Sequence, residues 1–383
     1  MSLRPGIAAA APLLFLMADT ASAVQTNAPD APKTAVKLTT VAQGLENPWA
    51  LEFLPDGRML VTEKPGRLRV VGKAGKLGAP IKGVPEVMSD GQGGLLDVAL
   101  ANDFAESGRI FLSYSEPRSW RKNGTSVASA KLVLQADGGA LEDFKVIFRQ
   151  EPGYNGALHF GSRIVVTPEG NLFVTLGERS DVKTRVDAQN PKNHLGKIVY
   201  ITADGAPAAS KPAQDGWDPL IWSIGHRNVQ GAVLDPATGR LWTLEHGPQG
   251  GDELNHPESG KNYGWPIIIY GKEYSGGAVG EGITSKPGLE QPVYYWNPSI
   301  ATSSLLLYTG DLFPDWKGNF LAGALKFMHV QRLVMKDGEV VEKEVLAEDI
   351  GERVRDLKQG PDGAVYIVTD DANGRIVRMA PAE

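Results

Sequence analysis

The sequence contains no cysteine and no excess of positive charge. The absence of cysteine excludes a disulfide framework, a thiolate zinc site and a cysteine nucleophile. The 39 lysine and arginine residues and the 45 aspartate and glutamate residues give a net charge of −6 at pH 7. Nucleic acids and anionic lipid surfaces are bound through basic patches, so this composition argues against both as partners.

Long hydrophobic runs are also scarce. The one that stands out, at residues 8–17, follows Arg4 and precedes the small residues Ala21-Ser22-Ala23. This pattern is typical of a cleaved secretory signal peptide, with an Ala-rich disordered tail as the alternative. The run is shorter than the roughly 20 residues of a transmembrane helix. We expect a signal peptide at residues 1–23, a linker at 24–37, a periplasmic or secreted protein and no integral membrane segment.

Glycine, in contrast, is abundant, with 45 of the 383 residues, whereas average usage is about 7%. Six glycines share one context, because each follows a turn and precedes a short apolar segment that ends in Thr, Ser or Ala. They are Gly57, Gly108, Gly170, Gly239, Gly318 and Gly363. Glycine suits a tight hairpin turn because it tolerates a positive φ.

The spacing of the six glycines predicts the fold. Successive members are separated by 45 residues (318 to 363) at the least and by 79 (239 to 318) at the most. A four-stranded propeller blade needs roughly 40–50 residues, so the longer separations contain loop insertions. We expect an all-β protein, a six-bladed β-propeller of four-stranded antiparallel blades at residues 38–380. A β-sandwich with similar hairpins is the alternative.

Polar stretches that are unsuited to strands recur about once per blade. They are residues 90–97, 154–163, 225–231, 245–255, 296–304, 324–329 and 351–356. A closed ring of blades would bring one such loop from each blade to the mouth of its central channel. We therefore expect a site assembled from these loops.

His159 is the first candidate within these loops. Glu178 follows the central strand of the same blade, and strand pairing would bring its carboxylate beside the imidazole. A carboxylate fixes the tautomer of a histidine and raises its basicity, as a general base requires. His226 has no obvious carboxylate partner on its own blade. The alternative for His159, flanked by two apolar residues, is a half-buried structural histidine.

Cationic side chains form the second group of candidates. Arg227 and Asn228 offer a cation and an amide to an oxyanion or a quinone oxygen. Lys326 ends an apolar strand, and Arg353 and Arg355 are spaced so that both would point to one side of a strand. Two guanidinium groups on one side suit a ligand with several carboxylates. The alternative for Arg227 and Asn228 is a surface loop with a salt bridge, and the alternative for Arg353 and Arg355 is a solvated charged strand.

The loop at residues 245–255 has the composition of a calcium site. Its Gly and Pro residues, including Gly247 and Pro248, leave backbone carbonyls free, and acidic side chains lie nearby. Carbonyl and carboxylate oxygens are hard ligands that favour calcium, and the lack of cysteine argues against zinc. The alternative is a polar hairpin.

Taken together, these segments resemble the soluble pyrroloquinoline-quinone (PQQ)-dependent sugar dehydrogenases, in particular the aldose sugar dehydrogenase branch. The resemblance covers about residues 38–379. The motifs that carry it, in chain order, are Glu46-Asn47-Pro48-Trp49-Ala50, Gly91-Gln92-Gly93-Gly94-Leu95-Leu96-Asp97, His159-Phe160-Gly161-Ser162-Arg163, Gly225-His226-Arg227-Asn228, Gly247-Pro248-Gln249-Gly250-Gly251-Asp252-Glu253, Asn262-Tyr263-Gly264-Trp265-Pro266 and the Arg353/Arg355 pair.

The resemblance implies oxidation of an aldose at the anomeric carbon to a lactone, with PQQ and calcium as cofactors. His159 would be the general base, oriented by Glu178, and Arg227 would stabilise the developing oxyanion. The residues that would contact the quinone are Gln92, Arg227, Asn228, Lys326, Arg353 and Arg355, with Trp296 packed near the substrate or the cofactor ring. Calcium would be held partly by the carbonyls of Gly247 and Pro248, and Glu253 and Tyr263 match a second calcium site.

The sequence departs from the glucose-specific branch at Leu158, where that branch has an acidic residue. Its long dimer-forming insertions are also absent. We therefore expect broad aldose specificity, a monomer and an external electron acceptor, since the chain has no haem-attachment motif. The alternatives are a calcium-dependent lactonase and a non-catalytic binding propeller. A lactonase has no use for Lys326 and two arginines directed at one ligand.

Overall fold

The structure is a computed structural model that describes residues 24, 26–209 and 212–382. The predicted signal peptide at residues 1–23 lies outside the described residues. The described chain forms six four-stranded antiparallel sheets, and its two α-helices, α1 (Phe104–Ser107) and α2 (Val182–Arg185), have four residues each. No helix in this part of the chain has the length and hydropathy to cross a membrane.

The strands follow one another around the ring in chain order. They are β1 (Val36–Leu45), β2 (Pro48–Phe53), β3 (Met59–Glu63), β4 (Arg67–Val71), β5 (Leu77–Pro80), β6 (Leu95–Leu100), β7 (Arg109–Pro117), β8 (Asn123–Gln135), β9 (Gly138–Arg149), β10 (Gly161–Val166), β11 (Leu172–Leu176), β12 (Lys197–Ile201), β13 (Ile221–Ile224), β14 (Val229–Leu234), β15 (Leu241–Glu245), β16 (Asp252–Asn255), β17 (Tyr294–Trp296), β18 (Thr302–Leu307), β19 (Phe320–Ala324), β20 (His329–Lys336), β21 (Glu339–Leu346), β22 (Val354–Gln359), β23 (Val365–Thr369) and β24 (Gly374–Pro381). Blades 1 to 5 are β2–β5, β6–β9, β10–β13, β14–β17 and β18–β21.

The sixth blade is closed by the N-terminal strand. The sheet order β1-β24-β23-β22 places β1 outermost, with Val36 opposite Pro381. This strand begins two residues before the predicted start of the propeller. Part of the predicted linker also contacts blade 5, because the Ala31 N–H donates to the Lys343 carbonyl at 2.7 Å. The prediction of a six-bladed propeller is confirmed.

The six recurrent glycines have the same place in every blade. Each lies in the turn between the first and second strands, with φ between 68° at Gly108 and 84° at Gly57. These turns mark the lower face of the ring. Because neighbouring strands are antiparallel, the turns between second and third strands and the connections between blades lie on the opposite face, which we call the upper face. All seven polar stretches identified in the sequence emerge there.

A buried ionic cluster crosses the central channel beneath the upper face. The Arg163 guanidinium lies 3.0 Å from Asp97 in blade 2 and 3.1 Å from Asp356 in blade 6. Its Nε donates to the backbone carbonyl of Gln230 in blade 4 at 3.1 Å. A cavity of about 250 Å³ lies on the lower side of this cluster. Arg163 therefore separates the upper face from the lower part of the channel.

Candidate active site

His159 and Glu178 are brought together by the connections on either side of blade 3. His159 precedes β10 and Glu178 follows β11, and the distance from His159 Nδ1 to Glu178 Oε1 is 2.8 Å. The His159 N–H donates to Gln92 Oε1 at 2.8 Å. Gly177 allows this approach, because a Cβ there would lie 2.2 Å from the His159 carbonyl oxygen. The predicted pairing of these two side chains is present.

Burial sets the charge of this pair. It lowers the pKa of His159 well below 6.5, with neighbouring Arg227 and Arg179 acting in the same direction. It raises the pKa of Glu178 to about 7. Above that pH the imidazole is neutral and the pair carries one negative charge on the carboxylate. A neutral imidazole whose Nδ1–H is held by a carboxylate has its Nε2 lone pair free to accept a proton.

His226 also has a carboxylate partner, which the sequence analysis did not anticipate. Its Nδ1 lies 3.2 Å from Glu245 Oε1, and its Nε2 lies 2.8 Å from Ser223 Oγ. The ring is fully buried and stacks on Tyr263 at a centroid distance of 4.9 Å. Both of its nitrogens are therefore engaged, and His159 is the better candidate for a base.

Arg227 connects the histidine pair to the predicted calcium loop. Its Nη1 donates to the carbonyls of His246 at 3.0 Å and Gly247 at 2.9 Å. Its backbone carbonyl accepts the Glu178 N–H at 3.0 Å. The neighbouring Asn228 accepts the Gly161 N–H at 3.0 Å through Oδ1. The segment that contains Arg227 and Asn228 therefore holds Glu178 in place and also positions the Arg227 guanidinium.

The two arginines at the start of blade 6 differ in environment. Arg355 lies in β22, is buried, and donates through Nη2 to Gln230 Oε1 at 2.6 Å. Arg353 precedes the strand, and its half-exposed side chain lies 3.3 Å from Asp370. Lys326 is exposed in the turn between β19 and β20. Burial lowers the pKa of Arg355 to about 10, so it remains a cation at neutral pH.

The Nε atoms of Arg227 and Arg355 are buried and have no hydrogen-bond partner within the described chain, as is also true of one guanidinium nitrogen each of Arg118, Arg163 and Arg185. Leaving a cationic donor buried and unpaired is costly, and a carboxylate or quinone oxygen would remove that cost. The chemistry of these donors therefore fits an anionic cofactor such as a carboxylated quinone.

The loop after β15 is tightly folded. The Gly247 N–H donates to Asp252 Oδ1 at 2.9 Å, and a Cβ at Gly247 would lie 2.3 Å from Gly250 and Gly251. Among the described residues no group of three or more acidic or histidine side chains surrounds a common point. The candidate donors of this loop are therefore the backbone carbonyls of Gly247 and Pro248, hard oxygen atoms of the kind that calcium prefers, although that of Gly247 already accepts from Arg227 Nη1 at 2.9 Å.

Three further predicted residues are engaged in contacts of their own. The Trp296 ring is buried between blades 4 and 5, where its N–H donates to Gln331. Glu253 accepts from Asn255 at 3.1 Å, and burial with the nearby Glu245 raises the pKa of Glu253 well above its usual range. The Tyr263 hydroxyl donates to the His256 carbonyl at 2.7 Å. Their roles remain predictions.

Gln230 is a residue that the sequence analysis missed. It contacts both Arg355, through its side chain, and Arg163, through its carbonyl. It lies two residues after Asn228, so the same i, i+2 argument that was applied to the arginines identifies it. Gln230 is thus positioned to hold Arg355 in place.

Comparison with known proteins identifies the family. The sequence profile of the family "Glucose / Sorbosone dehydrogenase" matches residues 45–378. The chain belongs to this family. It is 43% identical over 356 residues to aldose sugar dehydrogenase YliI of Escherichia coli, covering 92% of this chain and 94% of the relative. The predictions of the family and of an oxidoreductase are confirmed.

Solved structures of similar proteins agree with this assignment. The soluble aldose sugar dehydrogenase of Escherichia coli, in its apo form, has a TM-score of 0.86 and 41% identity, over 91% of this chain and 100% of that one. The PQQ-bound aldose sugar dehydrogenase of Streptomyces coelicolor has a TM-score of 0.75 and 26% identity, over 91% of this chain and 99% of that one.

Proposed function

We propose that this dehydrogenase oxidises aldose sugars at the anomeric carbon to lactones, with PQQ and calcium as cofactors. The observation that carries the proposal is the buried pair of His159 and Glu178, with 2.8 Å between Nδ1 and Oε1. Removal of a hydroxyl proton requires a positioned base of this kind. The pair lies on the same face as Arg227 and Arg355, two cations whose buried Nε atoms have no hydrogen-bond partner in the described chain.

His159 acts as the base in this proposal. Glu178 holds the Nδ1 proton, so the lone pair of Nε2 accepts the proton of the anomeric hydroxyl. PQQ, when bound, supplies the carbon that accepts the hydride. Arg227 supplies a fixed positive charge in a buried environment, where it stabilises developing negative charge more strongly than it would in water.

The proposed quinone contacts are Gln92, Arg227, Asn228, Lys326, Arg353 and Arg355, and Trp296 would pack near the substrate or the cofactor ring. The unpaired Nε atoms of Arg227 and Arg355 support this set. So does the similar protein of Streptomyces coelicolor, whose structure is described as PQQ-bound.

Calcium would be held partly by the carbonyls of Gly247 and Pro248 and would act as a Lewis acid. Glu253 and Tyr263 are proposed for a second calcium ion. We further propose that the protein is an exported monomer, that Leu158 contributes to broad aldose specificity, and that an external acceptor receives the electrons.

The proposal is tested by reconstitution. The purified protein is mixed with PQQ and calcium, and dye reduction and lactone formation are followed with a panel of aldoses. We expect reduction that requires all three of PQQ, calcium and sugar, and a His159→Gln control that binds PQQ but is nearly inactive. Absence of dye reduction in a sample that has bound PQQ, with every aldose tested, refutes the proposed function.

A further inference from the structure

Exposed apolar side chains cluster on the upper face. Trp120 is 90% exposed, Tyr274 76%, Val182 70% and Val186 61%. Trp120 lies between β7 and β8, and the two valines lie between β11 and β12, all in upper-face connections. Tyr274 belongs to the long β16–β17 loop, which reaches this face where Lys272 pairs with Gln249. We call these four residues, together with the exposed cations Arg121, Lys122, Lys183 and Lys272, the rim strip.

The rim strip is continuous along one side of the site. The segment that carries Trp120 leads to Asn123, whose N–H donates to the Tyr154 carbonyl at 2.9 Å. The Tyr154 hydroxyl donates to Asp181, next to Val182, at 2.6 Å. Arg185, next to Val186, is paired with Glu273, next to Tyr274. Arg179 donates to the Leu158 carbonyl at 3.0 Å, which joins this row of contacts to the residue before His159.

The strip is basic as well as apolar, although the chain as a whole is acidic. Exposed cations accompany the apolar residues, and none of them forms a salt bridge with another described residue; they are Arg121, Lys122, Lys183 and Lys272. Glu151 is paired with Arg118 and Glu273 with Arg185, whereas Asp181 accepts from the neutral Tyr154 hydroxyl and keeps its single negative charge against the four exposed cations. The uncompensated charge of the strip is therefore positive.

The backbone at Trp120 is strained. Trp120 and Arg121 both have φ of 59°, in the left-handed region that non-glycine residues rarely adopt. Two such residues in succession hold a large aromatic side chain in solvent. Strained backbone and exposed apolar surface both concentrate at functional sites.

We propose that the rim strip is the docking surface for an acidic one-electron redox protein. This inference rests on the proposed function. Oxidation of one aldose to a lactone releases two electrons and two protons, so a one-electron acceptor must be reduced twice per sugar while two protons enter solvent. Arg163 blocks the channel from below, so the acceptor must approach from the upper face. The basic charge of the strip is complementary to an acidic partner.

The test compares acceptors of opposite charge. The enzyme, reconstituted with PQQ and calcium, is given an aldose and either a small dye, the acidic copper protein plastocyanin or the basic mitochondrial cytochrome c. We expect plastocyanin to be reduced faster than cytochrome c, and its rate to fall as added salt shortens the Debye length below about 10 Å. Direct binding of plastocyanin to the enzyme in the absence of sugar is measured in parallel.

Charge-reversal variants locate the surface. The rim variant is Arg121→Glu/Lys122→Glu/Lys183→Glu, and the matched control is Lys76→Glu/Lys131→Glu/Lys336→Glu, whose exposed lysines lie toward the lower face. We expect the rim variant to lose about tenfold or more in plastocyanin reduction and binding at low salt, as for electrostatic steering, with dye reduction unchanged. Trp120→Ser should weaken binding without changing the charge.

Several results would overturn the proposal. They are an equal loss in the control variant, faster reduction of cytochrome c, and binding of the wild type to anionic lipid vesicles without binding to plastocyanin. If dye reduction itself fails, the proposed function is wrong. The binding measurement then still decides whether the rim strip recognises an acidic protein.

Discussion

Replacing the members of the His159–Glu178 pair separates a base from the group that orients it. We expect His159→Gln to lower kcat by about 10²–10⁴, the usual contribution of a general base. Glu178→Gln keeps the size of the side chain but removes the charge that holds Nδ1–H at 2.8 Å. A hydrogen bond to a charged group contributes about 1.5–3 kcal/mol. Because about 1.4 kcal/mol corresponds to tenfold, we expect kcat to fall about 10- to 100-fold.

The assay measures kcat by dye reduction at saturating sugar and PQQ, and PQQ affinity by titration of each apoprotein. Affinity for PQQ should stay close to that of the wild type in both variants, because neither side chain belongs to the proposed quinone contacts. A His159→Gln variant with near-normal kcat refutes the assignment of the base. A Glu178→Gln variant that is less active than His159→Gln contradicts the orienting role.

Three further predictions follow from the same geometry. Because the pKa of Glu178 is raised to about 7, ionisation of its carboxylate should make kcat rise with pH through that value. If the same rise in kcat is seen unchanged in Glu178→Gln, another group is responsible for it. Removal of calcium by chelation should abolish dye reduction and lower Tm, since an ion at 100 times its Kd stabilises the folded state by about 2.7 kcal/mol; full activity in protein shown to be metal-free contradicts the Gly247–Pro248 site. Arg355→Ala should weaken PQQ binding more than Arg353→Ala, because only Arg355 is buried; equal affinities in both variants and the wild type would show that the pair is structural.

Much of the fold is predictable because its signal is local. Each of the six glycines marks the same hairpin, which requires a positive φ whatever the rest of the chain does. The closure of the sixth blade by β1 has no such signal. It pairs Val36 with Pro381 across almost the whole described chain, and a pairing between residues so far apart in the sequence leaves no local signal.

The pair of His159 and Glu178 was predictable because strand pairing within one blade brings the two residues together, although the equivalent pair of His226 and Glu245 in blade 4 was missed. Contacts that depend on ring closure were not predictable. Gln230 reaches Arg355 from blade 4 to blade 6, and Arg163 contacts three blades. The two arginines differ in burial because β22 begins at Val354, which leaves Arg353 in the half-exposed connection before it.

Oxidation at the anomeric carbon by the histidine-centred site can be measured through a kinetic isotope effect. The reconstituted enzyme is mixed with an aldose that carries deuterium at C1, and the single-turnover rate is compared with that of the unlabelled sugar. We expect a primary isotope effect of several-fold and one lactone formed for every two electrons transferred. Equal rates for the two sugars, with a product that has lost no hydrogen from C1, would contradict it.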